Sequence, residues 1–135
     1  MKRILVVEDD EAIKNIIVEI LKSEDYHVDS ANDGLEGMIM FVEQDYDLII
    51  SDIMMPYMDG YDFIRRIKEE NKYVNVIVLS ALGEEYDELK GFDLGVDDYV
   101  SKPFSTKLFK KRVEAILRNQ DNNKVKDELL NIFKE

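Results

Sequence analysis

The residues best suited to chemistry come at the ends of short apolar runs. Glu8-Asp9 follow Ile4-Leu5-Val6-Val7, and Asp52 comes after Leu48-Ile49-Ile50. Ser80 follows Val76-Ile77-Val78-Leu79, and Lys102-Pro103 come after Tyr99-Val100. Runs of this length, bounded by turn signals, read as buried parallel strands. Ligands of open parallel sheets collect at the carboxyl ends of such strands. Three carboxylates, a hydroxyl and an ammonium are therefore expected along one sheet edge, a set suited to a divalent cation and a phosphoryl group.

Two like charges about 4 Å apart cost about 4 kcal/mol at an effective dielectric near 20. Glu8, Asp9 and Asp52 together thus call for a counter-charge. Lys102 supplies one, and a hard cation such as magnesium, which favours a few carboxylates plus waters, would supply the rest. The plain alternative is that Asp9, Asp10 and Glu11 cap a helix and favour its dipole. It is a fair account of Asp10 and Glu11 but not of Asp52, which lies on another element. A strand-end carboxylate such as Asp52 can be a metal ligand, a nucleophile or both. Ser80 alone could be a turn residue and Lys102 alone a solvated lysine. Pro103 raises the standing of Lys102, because X-Pro bonds are the ones that can be cis. Asp59-Gly60 reads as a turn without chemistry. The single histidine, His27, falls on a different strand and reads as a partly buried structural residue.

The elements that must position these groups alternate along the chain. Strands are expected at 3–7, 27–31, 48–52, 76–80 and 98–101. The second alternates and so belongs near an edge. Helices are expected at 11–24, from 34 to about 42, from 60 to 70, at 84–94 and at 105–118. The first would turn Ile13, Ile16, Ile17, Ile20 and Leu21 inward, and the one at 84–94 has a thin apolar face. Gly95 reads as a helix stop. Five strands, each followed by a helix, make an α/β fold: a doubly wound, five-stranded parallel sheet. The flavodoxin-like order 2-1-3-4-5 would bring Glu8-Asp9 beside Asp52, although periodicity alone does not choose it. The tail differs. After a polar break at Gln120-Asp121-Asn122-Asn123, Val125, Leu129, Ile132 and Phe133 recur at helical spacing. A separate short amphipathic helix is expected there, with its stripe buried.

The 135 residues suit one domain, 2–118, with the tail at 119–135. A net charge of -12 argues against a nucleic-acid or membrane surface. The lack of cysteine excludes disulfides and thiol chemistry. No segment has the length of a membrane span, and the apolar run after Met1-Lys2-Arg3 stops too early for a signal peptide. The default expectation is a cytoplasmic protein.

Four motifs taken in order resemble the receiver domain of two-component response regulators. They are V-V-E-D-D-E (Val6 to Glu11), D-L-I-I-S-D-I-M-M-P-Y-M-D-G (Asp47 to Gly60), V-L-S-A (Val78 to Ala81) and G-V-D-D-Y-V-S-K-P-F (Gly95 to Phe104). The resemblance covers Lys2 to about Arg118. It implies that Asp52 is the phosphoacceptor. It implies that Glu8, Asp9, Asp52 and the Met54 carbonyl hold magnesium or manganese, with Ser80 and Lys102 contacting the phosphoryl group. Lys102-Pro103 would be a cis peptide, and Tyr99 would switch with Ser80. The implied donor is a phosphohistidine on a sensor histidine kinase. The implied activity is that of a phosphoacceptor assisting its own phosphorylation and dephosphorylation, not of a turnover enzyme.

The segment D-D-Y-V-S-K-P-F looks most like receivers that carry a winged-helix DNA-binding domain, so the full-length output would be transcriptional. The chain is too short to hold such a domain, and reads as a receiver fragment or a stand-alone receiver. That subfamily often forms homodimers through the face of helix 4, strand 5 and helix 5. Asp97, Asp98 and Arg112 fit that pattern, whereas Glu88 and Leu108 depart from it. Two rivals remain. A haloacid-dehalogenase-type phosphatase needs D-x-D after the first strand, which Glu8-Asp9-Asp10 does not match. A nucleotide- or flavin-binding module needs a Gly-rich loop there, where this chain has acids.

Overall fold

The computed structural model describes residues 1–81 and 93–134. Its strands are β1 (Arg3–Val7), β2 (His27–Ala31), β3 (Leu48–Asp52), β4 (Asn75–Ala81) and β5 (Asp98–Lys102). The helices among the described residues are α1 (Glu11–Ser23), α2 (Gly34–Glu43), α3 (Gly60–Glu70) and α4 (Thr106–Lys134). The helix expected over 84–94 falls largely on residues 82–92, outside the described residues, so four of the five expected helices are seen.

The strands form one parallel sheet in the order β2-β1-β3-β4-β5. This is the doubly wound order that puts β1 beside β3, and it leaves β2 at an edge as its alternation predicts. Residue parity sorts the core. Leu5, Val7, Ile49, Val76 and Val78 face one layer with Phe63, Ile64 and Ile67 of α3. Ile4, Val6, Leu48, Ile50, Ile77 and Leu79 face the other with Ile17 and Leu21 of α1 and Phe109, Val113 and Leu117 of α4. Side chains that alternate across a pleated strand, apolar on both sides, require cover on both sides.

Three expectations about helices fail. Ile16 is exposed, and the buried residue one turn into α1 is Lys14. The expected break at 120–123 is absent: α4 runs unbroken for 29 residues. Polar residues do not end a helix unless a cap or a proline does. Val125, Leu129, Ile132 and Phe133 are helical as expected, but all are exposed instead of buried. Local anchors hold the extension where it leaves the base of the sheet. Gln120 Nε2 donates to the Asp47 carbonyl at 3.1 Å, and Lys2 Nζ lies 2.5 Å from Asp121.

Candidate functional site at the carboxyl edge

Three strands deliver the charged groups. β1 releases Glu8 and Asp9 past Val7, β3 ends on Asp52, and β5 ends on Lys102. Asp52 is level with Leu79, and Ser80 and Ala81 are level with Ser101 and Lys102. The expected site residues Glu8, Asp9, Asp52, Ser80 and Lys102 therefore gather at one mouth of the sheet. Oxygens of Glu8, Asp9 and Asp52 lie within 4.8 Å of one another. Glu8 has no exposure and Asp52 is 8% exposed, whereas Asp9 is exposed.

Lys102 joins the acids. Its Nζ donates to Asp52 Oδ2 at 2.9 Å and to Glu8 Oε1 and Oε2 at 3.2 and 3.4 Å. Asp52 Oδ1 accepts the backbone N–H of Ile53 at 2.7 Å and that of Met54 at 3.4 Å. One lysine cannot neutralise both buried acids. Burial pushes the Glu8 carboxyl up to about 7, repulsion by Asp52 and a hydrogen bond to it add to the rise, and Lys102 offsets only part. Burial alone would lower the Lys102 ammonium, but bonding to Asp52 and attraction by both acids raise it overall.

The donor set fits a hard cation. It offers three carboxylates with excess negative charge, one of them open to solvent, and no nitrogen or sulfur ligand among them. Met54 lies at the rim, 71% exposed. Ser80 is buried at the end of β4, and Tyr99 is buried in the cluster with Ile53, Tyr61 and Val78. The Lys102-Pro103 peptide is cis, as expected.

The loop after β3 is held tightly. Gly60 N–H donates to the Ile53 carbonyl at 2.7 Å, and a Cβ on Gly60 would lie 2.3 Å from the Asp52 carbonyl oxygen. Only glycine allows α3 to start this close to the Asp52 backbone. Asp59 accepts the Asp62 N–H and caps α3, and Asp10 does the same for α1 through Ile13. The alternative reading was thus right for Asp10.

Sequence reasoning missed Lys14. Buried beside the acidic edge, it bonds Glu11 at 2.9 Å and also the Asn32 side chain, tying the turn after β1 to the turn after β2. Its only signal was Glu11 one turn earlier. His27 is exposed instead of partly buried, and it lies at the start of β2 beside Arg3 and Asp29. Of the charges expected on a dimer face, Arg112 binds Asp98 through both carboxylate oxygens at 2.8 and 2.7 Å. Asp97 accepts the Val76 N–H at 2.7 Å. Glu88 lies outside the described residues.

Residues 4–114 match the family model of the response regulator receiver domain. The chain belongs to that family. The receiver is 42% identical over 116 residues to the transcriptional regulatory protein ResD of Bacillus subtilis, a match covering 86% of this chain and 48% of ResD. It is 40% identical over 116 residues to the regulatory protein VanRB of Enterococcus faecalis, covering 86% and 52%. The solved receiver domain of Francisella response regulator 1452 matches with a TM-score of 0.82 at 32% identity, covering 88% of this chain and 98% of that one. The chain spans about half the length of the curated relatives it matches. No helix among the described residues of the receiver is long and apolar enough to cross a membrane.

Proposed function

We infer that this receiver, residues 2–118, accepts a phosphoryl group on Asp52 from a phosphohistidine of a sensor histidine kinase, in the cytoplasm. The observation that carries the reading is the Asp52 carboxylate at the mouth of the sheet. Its Oδ1 is held by backbone N–H groups and its Oδ2 by Lys102. A carboxylate oxygen fixed in this way is positioned for in-line attack on phosphorus. The new O–P bond forms as the P–N bond to the donor imidazole breaks, and the imidazole keeps the electron pair. Lys102 stabilises charge on the phosphoryl oxygens, and Ser80 supplies a hydroxyl to the bound group. Glu8, Asp9, Asp52 and the Met54 carbonyl would hold Mg2+ or Mn2+, which when bound supplies electrostatic stabilisation of the transferring group.

The chain is read as a phosphoacceptor that assists gain and loss of its own phosphoryl group, not as a turnover enzyme. Drawing Ser80 toward the phosphoryl group favours a repositioned Tyr99, which biases the face carrying β5 and the start of α4. That face could support a homodimer, although Asp98 and Arg112 are already paired with each other. In a longer protein the output would be transcriptional, through a winged-helix DNA-binding domain. This chain itself, with its net charge of -12, is assigned no direct nucleic-acid contact. Signalling by protein contacts alone is the second reading for a stand-alone chain.

Treatment with a small acyl phosphate and magnesium should add one phosphoryl mass to the intact protein, and Asp52→Asn should abolish the gain. Equal phosphorylation of both would remove Asp52 from its role.

A further inference from the structure

Away from its site, the receiver exposes an apolar face on α2. In that helix, Gly-Leu-Glu-Gly-Met-Ile-Met-Phe-Val-Glu, the only charged residues are Glu36 and Glu43. Gly34 and Gly37 face the body, and a Cβ on Gly37 would lie 3.0 Å from Val7. The opposite face exposes Leu35, Ile39 and Val42, with Ile39 at 58%. A helix that is apolar all round is expected to be buried. The extension of α4 carries a second uncovered face of the same form: Val125, Leu129 and Ile132, with Leu129 at 51%. Both ladders have rungs at i, i+4 and i+7, and so have equal length.

We propose that the extension of α4 in one copy packs antiparallel on α2 of a second copy, in a two-fold dimer joined base to base. Topology favours this occupant. α2 and α4 both run antiparallel to the strands, and α2 ends at the base of the sheet beside Val42. The extension leaves that same base at Gln120 and Asp121. An open cavity of about 750 Å³ separates Phe41 and Val42 of α2 from Asn123, Lys124 and Asp127 of α4. A two-fold axis through the base carries each extension along the α2 of the other copy, running against it. Val125 then meets Val42, Leu129 meets Ile39, and Ile132 meets Leu35.

Charge selects the same direction. The antiparallel arrangement sets Lys126 beside Glu43, both exposed in the single chain. The parallel arrangement would set Asp121 against Glu36 and Glu128 against Glu43, two like-charge pairs. The contact occurs twice by symmetry, which doubles the apolar area removed from water.

Sedimentation velocity on the full chain without phosphoryl donor, at about 50 µM, tests it. The wild type should sediment as a dimer. Ile39→Asp and Leu129→Asp, both at exposed positions, should each be monomeric with unchanged far-UV circular dichroism. Glu43→Lys and Lys126→Glu should each weaken the dimer by about tenfold or more, and the two together should restore it. A monomeric wild type overturns the proposal. So does a dimer that survives Ile39→Asp but not Leu129→Asp, because the extensions would then pair with each other. Failure of the double charge reversal to restore the dimer overturns the antiparallel arrangement.

Discussion

The two ends of the sheet hold their charged groups under opposite rules. At the base, Arg3 N–H donates to Asp47 Oδ2 at 2.8 Å, Tyr46 donates to Asp29 at 2.7 Å, and Gln120 reaches the Asp47 carbonyl. Asp47 and Asp29 each have a donor close by. At the mouth, Glu8 and Asp52 share one lysine, and Asp9 adds a third carboxylate within 4.8 Å. The base is arranged for stability. The mouth keeps repulsion that a fold selected for stability alone would have removed, which is the usual mark of a functional cluster.

Removing Lys102 should sharpen this contrast most. Lys102→Ala leaves two buried carboxylates without a counter-charge. Phosphorylation from acyl phosphate should slow by about 100-fold or more. Without metal above pH 7, the variant should also lose on the order of 3 kcal/mol of stability in urea unfolding. A near-wild-type phosphorylation rate would show that Lys102 is only a structural partner.

At the base, Asp47→Ala orphans the Arg3 N–H, and should cost about 1–2 kcal/mol in the same unfolding assay. It should leave the phosphorylation rate unchanged. A rate loss as large as that of Lys102→Ala would erase the distinction between the two ends.

The mouth should also respond to pH. Folding raises the Glu8 pKa from 4.5 to about 7, so the folded state binds this proton more tightly than the unfolded state. The stability it contributes is complete below about pH 4.5 and is lost as pH rises through about 7. In metal-free protein, Glu8→Gln should remove this decline and should be about 1 kcal/mol more stable than wild type at pH 8. Magnesium should raise the wild-type melting temperature at pH 8. A decline of equal size in Glu8→Gln would place its origin elsewhere.

The smallest effect is expected at the rim. Met54 offers no hydrogen bond to orient a water that attacks the acyl phosphate. Met54→Asn should shorten the phosphoryl lifetime by a few fold, within the range of general-base and positioning effects. An unchanged lifetime would remove that argument.

Strand positions, and the meeting of Glu8, Asp9, Asp52 and Lys102 at one mouth, were legible because buried parallel strands are short, wholly apolar runs whose ends mark the mouth. The sheet order was not legible from periodicity, since any right-handed winding would bury the same runs. It came from the requirement that the acids meet and from the family likeness. Ile16 was misjudged and Lys14 missed because an isoleucine-rich helix shows two apolar faces to a 3.6-residue count. Only packing decides which is covered. The unbroken α4 was missed because Gln120 and Asp121 read as polar punctuation, whereas in the fold they are anchors to Asp47 and Lys2.

The pairing of Asp52 with Leu79, one rung before Ser80 meets Ser101, makes the chemistry a matter of parity. Adding a single residue within β3 upstream of Asp52 would turn that carboxylate to the other side of the sheet, while every apolar neighbour could still find some cover. Adding two would keep its side but carry it past its partners by about 7 Å. The loops at the base obey no such arithmetic. The length of this chain is therefore free to drift where the strands begin and frozen where they end, and that asymmetry would separate tolerated from silent chains in a systematic insertion library.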